Sequence, residues 1–430
     1  LILVLNLLIA LTSANLSHTL ESLYKLQRRG IKMGLNHTSW LLKFLNNPQD
    51  NFKTIHVAGT NGKGSTAAII NSILIANNYK VGLYTSPHLI NFNERIRVNG
   101  LTITDEEIIS FMKHVEPAIN EIKSTFFEVT TAMAFYHFNN NDVDVAIIET
   151  GLGGRLDSTN VVNPSLTVMT PISLDHRDIL GSTIEKIAKE KAGIIKRGVP
   201  LITANQVNNV SKILEKTVKE KESVMHVCPN PESVKLSSGG TTFEVNGNNF
   251  NTSLIGKYQA QNASLAIATI KLFNSNISYE TINKGLRNVY WPGRLQLVAD
   301  KIYYDVAHNE NGVKSVLKNL NRIFPKSKLY GLLCLKGDKE IDCIAESIKS
   351  QFEMLFVSTS KDGLLMEPEK LSEELHNLKV INFPSNDISS SILKIKKVRK
   401  PDDVILIFGS HYIANEIFSE FEISFDTGLI

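Results

Sequence analysis

The sequence predicts two α/β domains, the first and larger built on a mainly parallel sheet. Three observations carry this. Val143 to Thr150 (VDVAIIET) is a continuous apolar strand of the kind buried on both faces of a parallel sheet. Phe52 to Asn71 (FKTIHVAGTNGKGSTAAIIN) runs from a β-branched strand through a glycine turn straight into helix-forming residues. Beyond Gly293, short apolar strands alternate with helical stretches, which is the pattern of a second α/β unit.

Taken in order, Ser17 to Arg28 places Leu20, Leu23, Tyr24 and Leu26 near helical spacing, and Gly30 closes that helix. The strand at Thr54–Ala58 follows, and then the turn on Gly59, Gly62 and Gly64. Lys80 to Ser86 is a second strand stopped by Pro87, and Ser86 to Gly100 reads as a functional loop without clean periodicity. Thr104 is the N-cap of a helix over Asp105 to Lys123, and Val129 to Phe138 is a second helix ending at three asparagines. Strands at 165–173 and 199–203 flank a helix from Ile184 to Ile195. Thr241 to Leu254 is a hairpin turning at Asn246-Gly247-Asn248, and Lys257 to Phe273 is an alanine-rich helix. The pattern resets at Tyr290-Trp291-Pro292-Gly293, so the domain boundary is placed just beyond. Strands at Lys328–Leu335, Met354–Val357 and Val404–Phe408 belong to the second domain.

Composition removes several classes. A net charge of +3 over 430 residues, with lysines dispersed, gives no basic face for nucleic acid. Cys228, Cys334 and Cys343 form no CxxC pair, so free thiols are expected rather than a zinc site or a disulfide. The opening LILVLNLLIALTSAN has the apolar character of a secretory core. It lacks a preceding basic segment, and Asn6 interrupts a run too short to span a bilayer. It is expected to be an extension (residues 1–16) or a start-site artefact, with a true signal as the alternative.

The stretch from Thr60 to Ser65 carries the chemistry. A glycine turn between strand and helix lets backbone N–H groups of Thr60, Asn61, Gly62 and Gly64 approach phosphate oxygens, beside the positive end of the new helix. Lys63 adds a point charge, and Ser65 or Thr66 offers a hydroxyl to magnesium. Lys63 is followed by Gly64, so the pattern departs from GxxxxGK[ST] by one residue. The loop says nucleotide without saying which reaction.

Other polar residues sit where strands end. Glu149 closes one strand, where a carboxylate suits magnesium, or is an exposed strand-end acid. His176 after a strand reads alone as a capped or surface residue, and Lys191 beside Glu190 reads as a solvated salt-bridging face. Phe127 alone reads as core, Asp157 as a cap before Ser158-Thr159, Asn262 as a polar helix residue, Arg294 as a linker arginine in an ion pair, and Asp305 as a strand-end cap.

Eight stretches change these readings: GTNGKGS (59–65), TSPHL (85–89), FEVTT (127–131), ETGLGGRLDSTN (149–160), LDH (174–176), EKAGI (190–194), PGR (292–294) and DVAHN (305–309). In this order they resemble the folylpolyglutamate synthase and dihydrofolate synthase family, relatives of the Mur ligases, from about Leu20 onwards. The resemblance implies a P-loop ATPase-like central domain (17–294) binding ATP and pterin, and a smaller Rossmann-like glutamate-ligase domain (295–430). It implies an ATP-dependent ligase that forms an acyl phosphate on a pterin-linked carboxylate and joins L-glutamate to it. Dihydropteroate, tetrahydrofolate or both would be the acceptor, with both favoured by the GGRLD stretch. A polyglutamylating enzyme alone, a Mur-type amino-acid ligase, a P-loop switch and a noncatalytic pterin-binding protein are the rivals.

By the same resemblance, Lys63, Glu149, His176 and Lys191 are the catalytic set. Ser65, Ser86 and Glu149 would hold one Mg2+, and His176 with a carbamylated Lys191 a second; K+ is allowed. Asn262, Arg294 and Asp305 would contact ATP. Phe127, Glu128, Leu156, Asp157 and the loop Ile31 to Leu35 would face the pterin, and His308 and Ser410 the incoming glutamate. A cytoplasmic monomer with small-molecule partners, and neither nucleic acid nor membrane, is implied. Two departures, Glu310 in place of a proline and Gly337-Asp338-Lys339-Glu340 in place of a lysine-aspartate motif, bear on the glutamate side.

Overall fold

The structure is a computed structural model that describes residues 15–29, 34–337, 339 and 341–424. Most of the 1–16 extension, Gly30, Ile31 to Met33, Asp338 and Glu340 lie outside the described residues. Two compact units result. One takes in the described residues up to Asn230 together with Gln261–Leu286; the other takes in Pro231–Ala260 and the described residues from Arg287 on. The segment 231–260 thus clusters with the second unit, whereas the expected boundary placed it in the first.

The first unit holds β1 (Lys53–Ala58), β2 (Val81–Tyr84), β3 (Ile96–Val98), β4 (Leu101–Thr102), β5 (Val145–Glu149), β6 (Leu166–Met169), β7 (Leu201–Thr203) and β8 (Met225–Val227). They form one sheet in the order β4-β3-β2-β5-β1-β6-β7-β8. From β2 to β8 the neighbours run parallel, and only β3 and β4 are antiparallel. Central β5 and β1 are buried almost throughout, which accounts for their unbroken apolar sequences. Register places Val57 beside both Glu149 and Val168, so three carboxyl ends meet at one edge.

Helix Lys63–Ala76 packs against β2 and β5, with ten of its residues buried, as expected of a helix apolar on every side. On the other flank Gly285 comes so close that an added Cβ would lie 2.5 Å from Ile73 Cα. Helices Asp105–Ile122 and Phe126–Asn140 each open on a threonine capping box, Thr104 with Glu107 and Thr125 with Glu128. The second helix therefore starts three residues earlier than its periodicity suggests.

One expectation fails here. Ser86 to Gly100 is not simply loop: it contains a 3-10 turn, Phe92–Arg95, and the β3–β4 hairpin turning at Asn99 and Gly100, both at positive φ. Buried Arg95 and Arg97 disguise the strand, because charged residues break the apolar alternation that marks one.

The second unit has an antiparallel sheet of β9 (Glu232–Ser237), β10 (Gly240–Val245) and β11 (Asn248–Thr252). The β10–β11 turn falls at Asn246 and Gly247 as expected, while polar, half-exposed β9 has no strand-like signature. Its larger sheet comprises β12 (Gln296–Ala299), β13 (Ile302–Asp305), β14 (Leu329–Leu333), β15 (Met354–Val357), β16 (Phe383–Pro384) and β17 (Val404–Phe408). The order is β12-β13-β17-β14-β15-β16, parallel except for β12. Among the described residues no helix is long and apolar enough to cross a membrane.

Candidate active site

The phosphate loop is held by the residues that follow β6. Gly59, at φ +147°, sits against Thr170 so tightly that a Cβ would fall 1.9 Å from Thr170 Oγ1. Thr60 N–H donates to Pro171 O at 3.0 Å. Thr60 Oγ1 donates to Ser173 O at 3.0 Å and accepts from Ser173 N–H at 3.1 Å. Asn61 Nδ2 reaches Ser173 Oγ at 3.4 Å. Gly62, in the left-handed region at φ +86°, is the N-cap from which the helix starts at Lys63.

The N-cap residue, a glycine, has no side chain to cap that N-terminus, which carries the positive end of a 14-residue helix. Asn262 is buried against the turn: a Cβ on Gly62 would meet Asn262 Oδ1 at 2.4 Å. Lys63 Nζ donates to Thr60 O at 3.2 Å, so its charge stays over the loop.

Lys191 is no solvated residue. It is buried, and its Nζ donates to Gly59 O at 2.7 Å. Burial, then the charge of Lys63, lowers its pKa to about 7, while Asp175 and Asp157 pull the other way. Glu190 turns instead to Arg155, at 3.0 Å. Lys191 is thus the point at which the phosphate loop, the 175–176 turn and the Asp157 loop feel one another's charge.

Glu149, last residue of β5, is buried rather than exposed, and its Oε2 accepts from Ser86 N–H at 3.2 Å. His176 is half-exposed at φ +47°, with Nε2 3.8 Å from Asp175 Oδ2. Among the described residues no three His, Cys, Asp or Glu side chains gather to hold a metal ion. Any ion would depend on hydroxyls and on Lys191 as well as on Glu149 and His176.

A pocket with ≈ 630 Å³ of atom-free space, open to solvent, lies beside this cluster. Phe127, Glu128, Leu156 and Asp157 all line it, as do Gly34 and Leu152. Phe127 is 39 % exposed and not core. Glu128 is committed to the capping box, accepting from Thr125 N–H at 2.6 Å, with His37 Nδ1 3.5 Å from its other oxygen. Asp157 caps the 3-10 turn Ser158–Val161 and accepts from Leu152 N–H at 2.8 Å. A Cβ on Gly151 would stand 3.4 Å from Asp157 Oδ2, 3.6 Å from Ser86 Oγ and 3.9 Å from Phe127, so these three converge on one bare backbone position.

In the second unit, Asp305 at the end of β13 accepts from Leu295 N–H (2.7 Å) and Ala307 N–H (2.8 Å). Burial raises its pKa to about 6 against the opposing charge of Arg294. Arg294 also donates to Gly293 O at 3.0 Å. His308 Nδ1 lies 2.9 Å from Val306 O, and buried Ser410 accepts from Tyr412 N–H at 3.1 Å. Asp305 pairs with Phe408 across β13 and β17, so Asp305, His308 and Ser410 follow adjacent strand ends. Sequence reasoning put Ser173 and Asp175 at a strand end without giving them a role, and it missed Thr170 and Arg155. Only the GGRLD stretch hinted at Arg155.

Comparison with known proteins identifies the family and the fold. The Mur ligase middle domain matches residues 57–270, and the glutamate ligase domain of Mur ligases matches 293–411. The dihydrofolate synthase/folylpolyglutamate synthase of Bacillus subtilis (strain 168) is 37 % identical over 417 residues, covering 90 % of this chain and 95 % of that protein. Folylpolyglutamate synthase of Lacticaseibacillus casei is 34 % identical over 400 residues, 88 % and 92 % of the two chains. Among solved structures, the Mycobacterium tuberculosis folylpolyglutamate synthase complexed with ADP and AMPPCP superposes with a TM-score of 0.86 at 28 % identity, over 95 % of this chain and 99 % of that one. E. coli FolC in complex with DHPP and ADP gives 0.83 at 27 % identity, over 95 % and 97 %. The chain belongs to the dihydrofolate synthase/folylpolyglutamate synthase family of Mur ligases and is an ATP-dependent glutamate ligase.

Proposed function

We propose that this enzyme adds L-glutamate to both dihydropteroate and tetrahydrofolates in the cytoplasm, as a monomer, with Mg2+. The observation that carries the reading is the position of Lys191, bonded to the phosphate loop at Gly59 O and electrostatically linked to Asp157 of the pocket. A triphosphate bound at one would stand close to a heterocycle bound at the other.

A carboxylate is a poor electrophile. Transfer of the γ-phosphoryl group of ATP to its oxygen gives an acyl phosphate whose leaving group is phosphate. The glutamate amine attacks the carbonyl carbon, loses a proton, and the tetrahedral intermediate expels phosphate. The chain's part is positioning and charge neutralisation. The N–H groups of the loop and Lys63 grip the phosphates, and Asn262 buttresses Gly62. Phe127, Leu156 and Asp157 orient the pterin, with Glu128 fixing the helix behind them. Within the second unit, Arg294 and Asp305 are the candidate nucleotide contacts, and His308 and Ser410 the candidate glutamate contacts.

The donor set fits magnesium: Glu149 supplies a buried carboxylate, and Ser65 and Ser86 supply hydroxyls, all hard oxygen donors. His176 and a carbamylated Lys191 would hold a second ion. Bound there, such ions would offset charge on the phosphoryl oxygens. A buried amine with a pKa of about 7 is substantially neutral at physiological pH. That is the form that adds to carbon dioxide, forming an N–C bond and releasing a proton.

Phosphate release tests the proposal with dihydropteroate or tetrahydrofolate, each with and without glutamate. Release with either pterin, dependent on glutamate, is expected. Release with tetrahydrofolate alone as acceptor would leave only the polyglutamylating activity, and release without pterin or glutamate would contradict the proposal.

A further inference from the structure

The turn that follows Ser86 is fastened by two consecutive residues of the 3-10 turn Phe92–Arg95, and they differ in what they hold. Glu94 holds backbone: its carboxylate accepts from Leu89 N–H at 2.6 Å, from Ile90 N–H at 2.7 Å and from Asn91 N–H. Arg95 holds a side chain nearer the site, its Nε donating to His88 Nδ1 at 2.7 Å. The backbone O of Arg95 accepts from Thr85 N–H at 3.0 Å, one step beyond the Tyr84–Ile96 pair of β2 and β3. Between these two anchors lies Ser86, whose N–H goes to Glu149 Oε2 at 3.2 Å.

Arg95 is 6 % exposed, and its Nη1 is buried with no hydrogen-bond partner among the described residues. The guanidinium lies over the Phe126 ring, 5.3 Å from its centroid, and the Glu149 charge reaches it as well. An orphaned N–H on a buried cation costs stability, and an apolar residue of similar shape would serve the fold as well or better. Glu94 already pins the loop, so stability does not account for an arginine here. Because Nδ1 accepts from Arg95, the hydrogen of the neutral imidazole is on Nε2, which sets one tautomer and one ring orientation for His88.

We infer that Arg95, acting through His88, is a positioning residue for Ser86, holding its hydroxyl and N–H in the orientation that a magnesium ion shared with Glu149 requires. The inference rests on the magnesium reading above. A serine side chain is short, so its Oγ goes where the backbone of residues 85–88 puts it. That backbone is tied at Thr85 on one side and through the His88 ring on the other. Releasing the second tie lets Ser86 turn, and an oxygen donor that turns must be immobilised by the ion, which weakens binding.

Calorimetric titration of a nonhydrolysable ATP analogue into the full chain, with Mg2+ and in EDTA, tests this. In wild type Mg2+ should strengthen binding. Arg95→Met and His88→Leu should each weaken binding with Mg2+ on the order of tenfold, while affinity in EDTA stays within about twofold. His88→Asn, whose amide oxygen can accept where Nδ1 did, should keep the wild-type affinity with Mg2+. Arg95→Met should also melt no lower than wild type, since the orphaned N–H goes with the guanidinium; should it fold poorly, the half-exposed His88 pair decides alone. Wild-type affinity with Mg2+ in His88→Leu would overturn the inference, and so would a loss that is equal with Mg2+ and in EDTA, or a His88→Asn variant no better than His88→Leu. Wild-type protein whose affinity for the analogue ignores Mg2+ would instead remove the magnesium reading, and the inference with it.

Discussion

At the carboxyl ends of β1, β5 and β6, the first unit gathers two lysines, a helix N-terminus whose cap residue is a glycine, and a loop held open by glycines. In the second unit, Asp305 lies at the end of β13 with a backbone N–H on each oxygen and the Arg294 charge beside it. The first cluster sets Lys63 beside a buried Lys191 whose charged form is disfavoured by burial and by that neighbour. The second cluster is balanced within its own unit. Residues of the first should therefore matter to turnover more than to folding, and those of the second should matter to both.

The largest effect sharpens that contrast. Lys63→Ala and Glu149→Ala should each reduce kcat/KM by at least on the order of a hundredfold, with little change in melting temperature. Steady-state phosphate release and thermal melts of the same samples decide it, and a variant that keeps full activity or fails to fold breaks the contrast. Next, Asp305→Ala should destabilise the protein by about 3 kcal/mol, because it orphans Leu295 N–H and Ala307 N–H and removes the carboxylate that faces the Arg294 charge. Urea unfolding checks this, and an unmoved midpoint would show the second cluster to be as incomplete as the first.

Smaller effects follow. Depleting carbon dioxide should lower turnover by about the share of Lys191 that is carbamylated, and bicarbonate should restore it; 13C-labelled bicarbonate gives a carbamate resonance, absent from Lys191→Arg, if the modification forms. The pH effect is smallest. With His56, buried within β1, at about 3 folded and 6.5 unfolded, the unfolded chain binds the extra proton between those values, so stability falls as pH drops through the window. At pH 5.5 the loss from this group is on the order of 1 kcal/mol, and His56→Gln should flatten that part of the melting-temperature profile.

How much of this was legible in the sequence depended on distance along the chain. GTNGKGS combines strand, turn, charge and helix in one stretch, so both its fold and its chemistry could be read locally. The capping boxes at Thr104 and Thr125 are equally local, although only the first was used. Lys191 could not be placed, because EKAGI looks amphipathic and its burial is imposed by Gly59, 132 residues away. The β3–β4 hairpin was hidden by two buried arginines, and β9 by its polar composition. The grouping of 231–260 with the later unit follows from tertiary packing, to which hydropathy is blind.

A crystal of the wild-type protein grown with a nonhydrolysable ATP analogue and Mg2+ is the most direct measurement. The account predicts the triphosphate against the N–H groups at the start of helix Lys63–Ala76, with Lys63 on its terminal phosphates and Glu149 facing the ion. Nucleotide bound elsewhere, with that helix end empty, would contradict it.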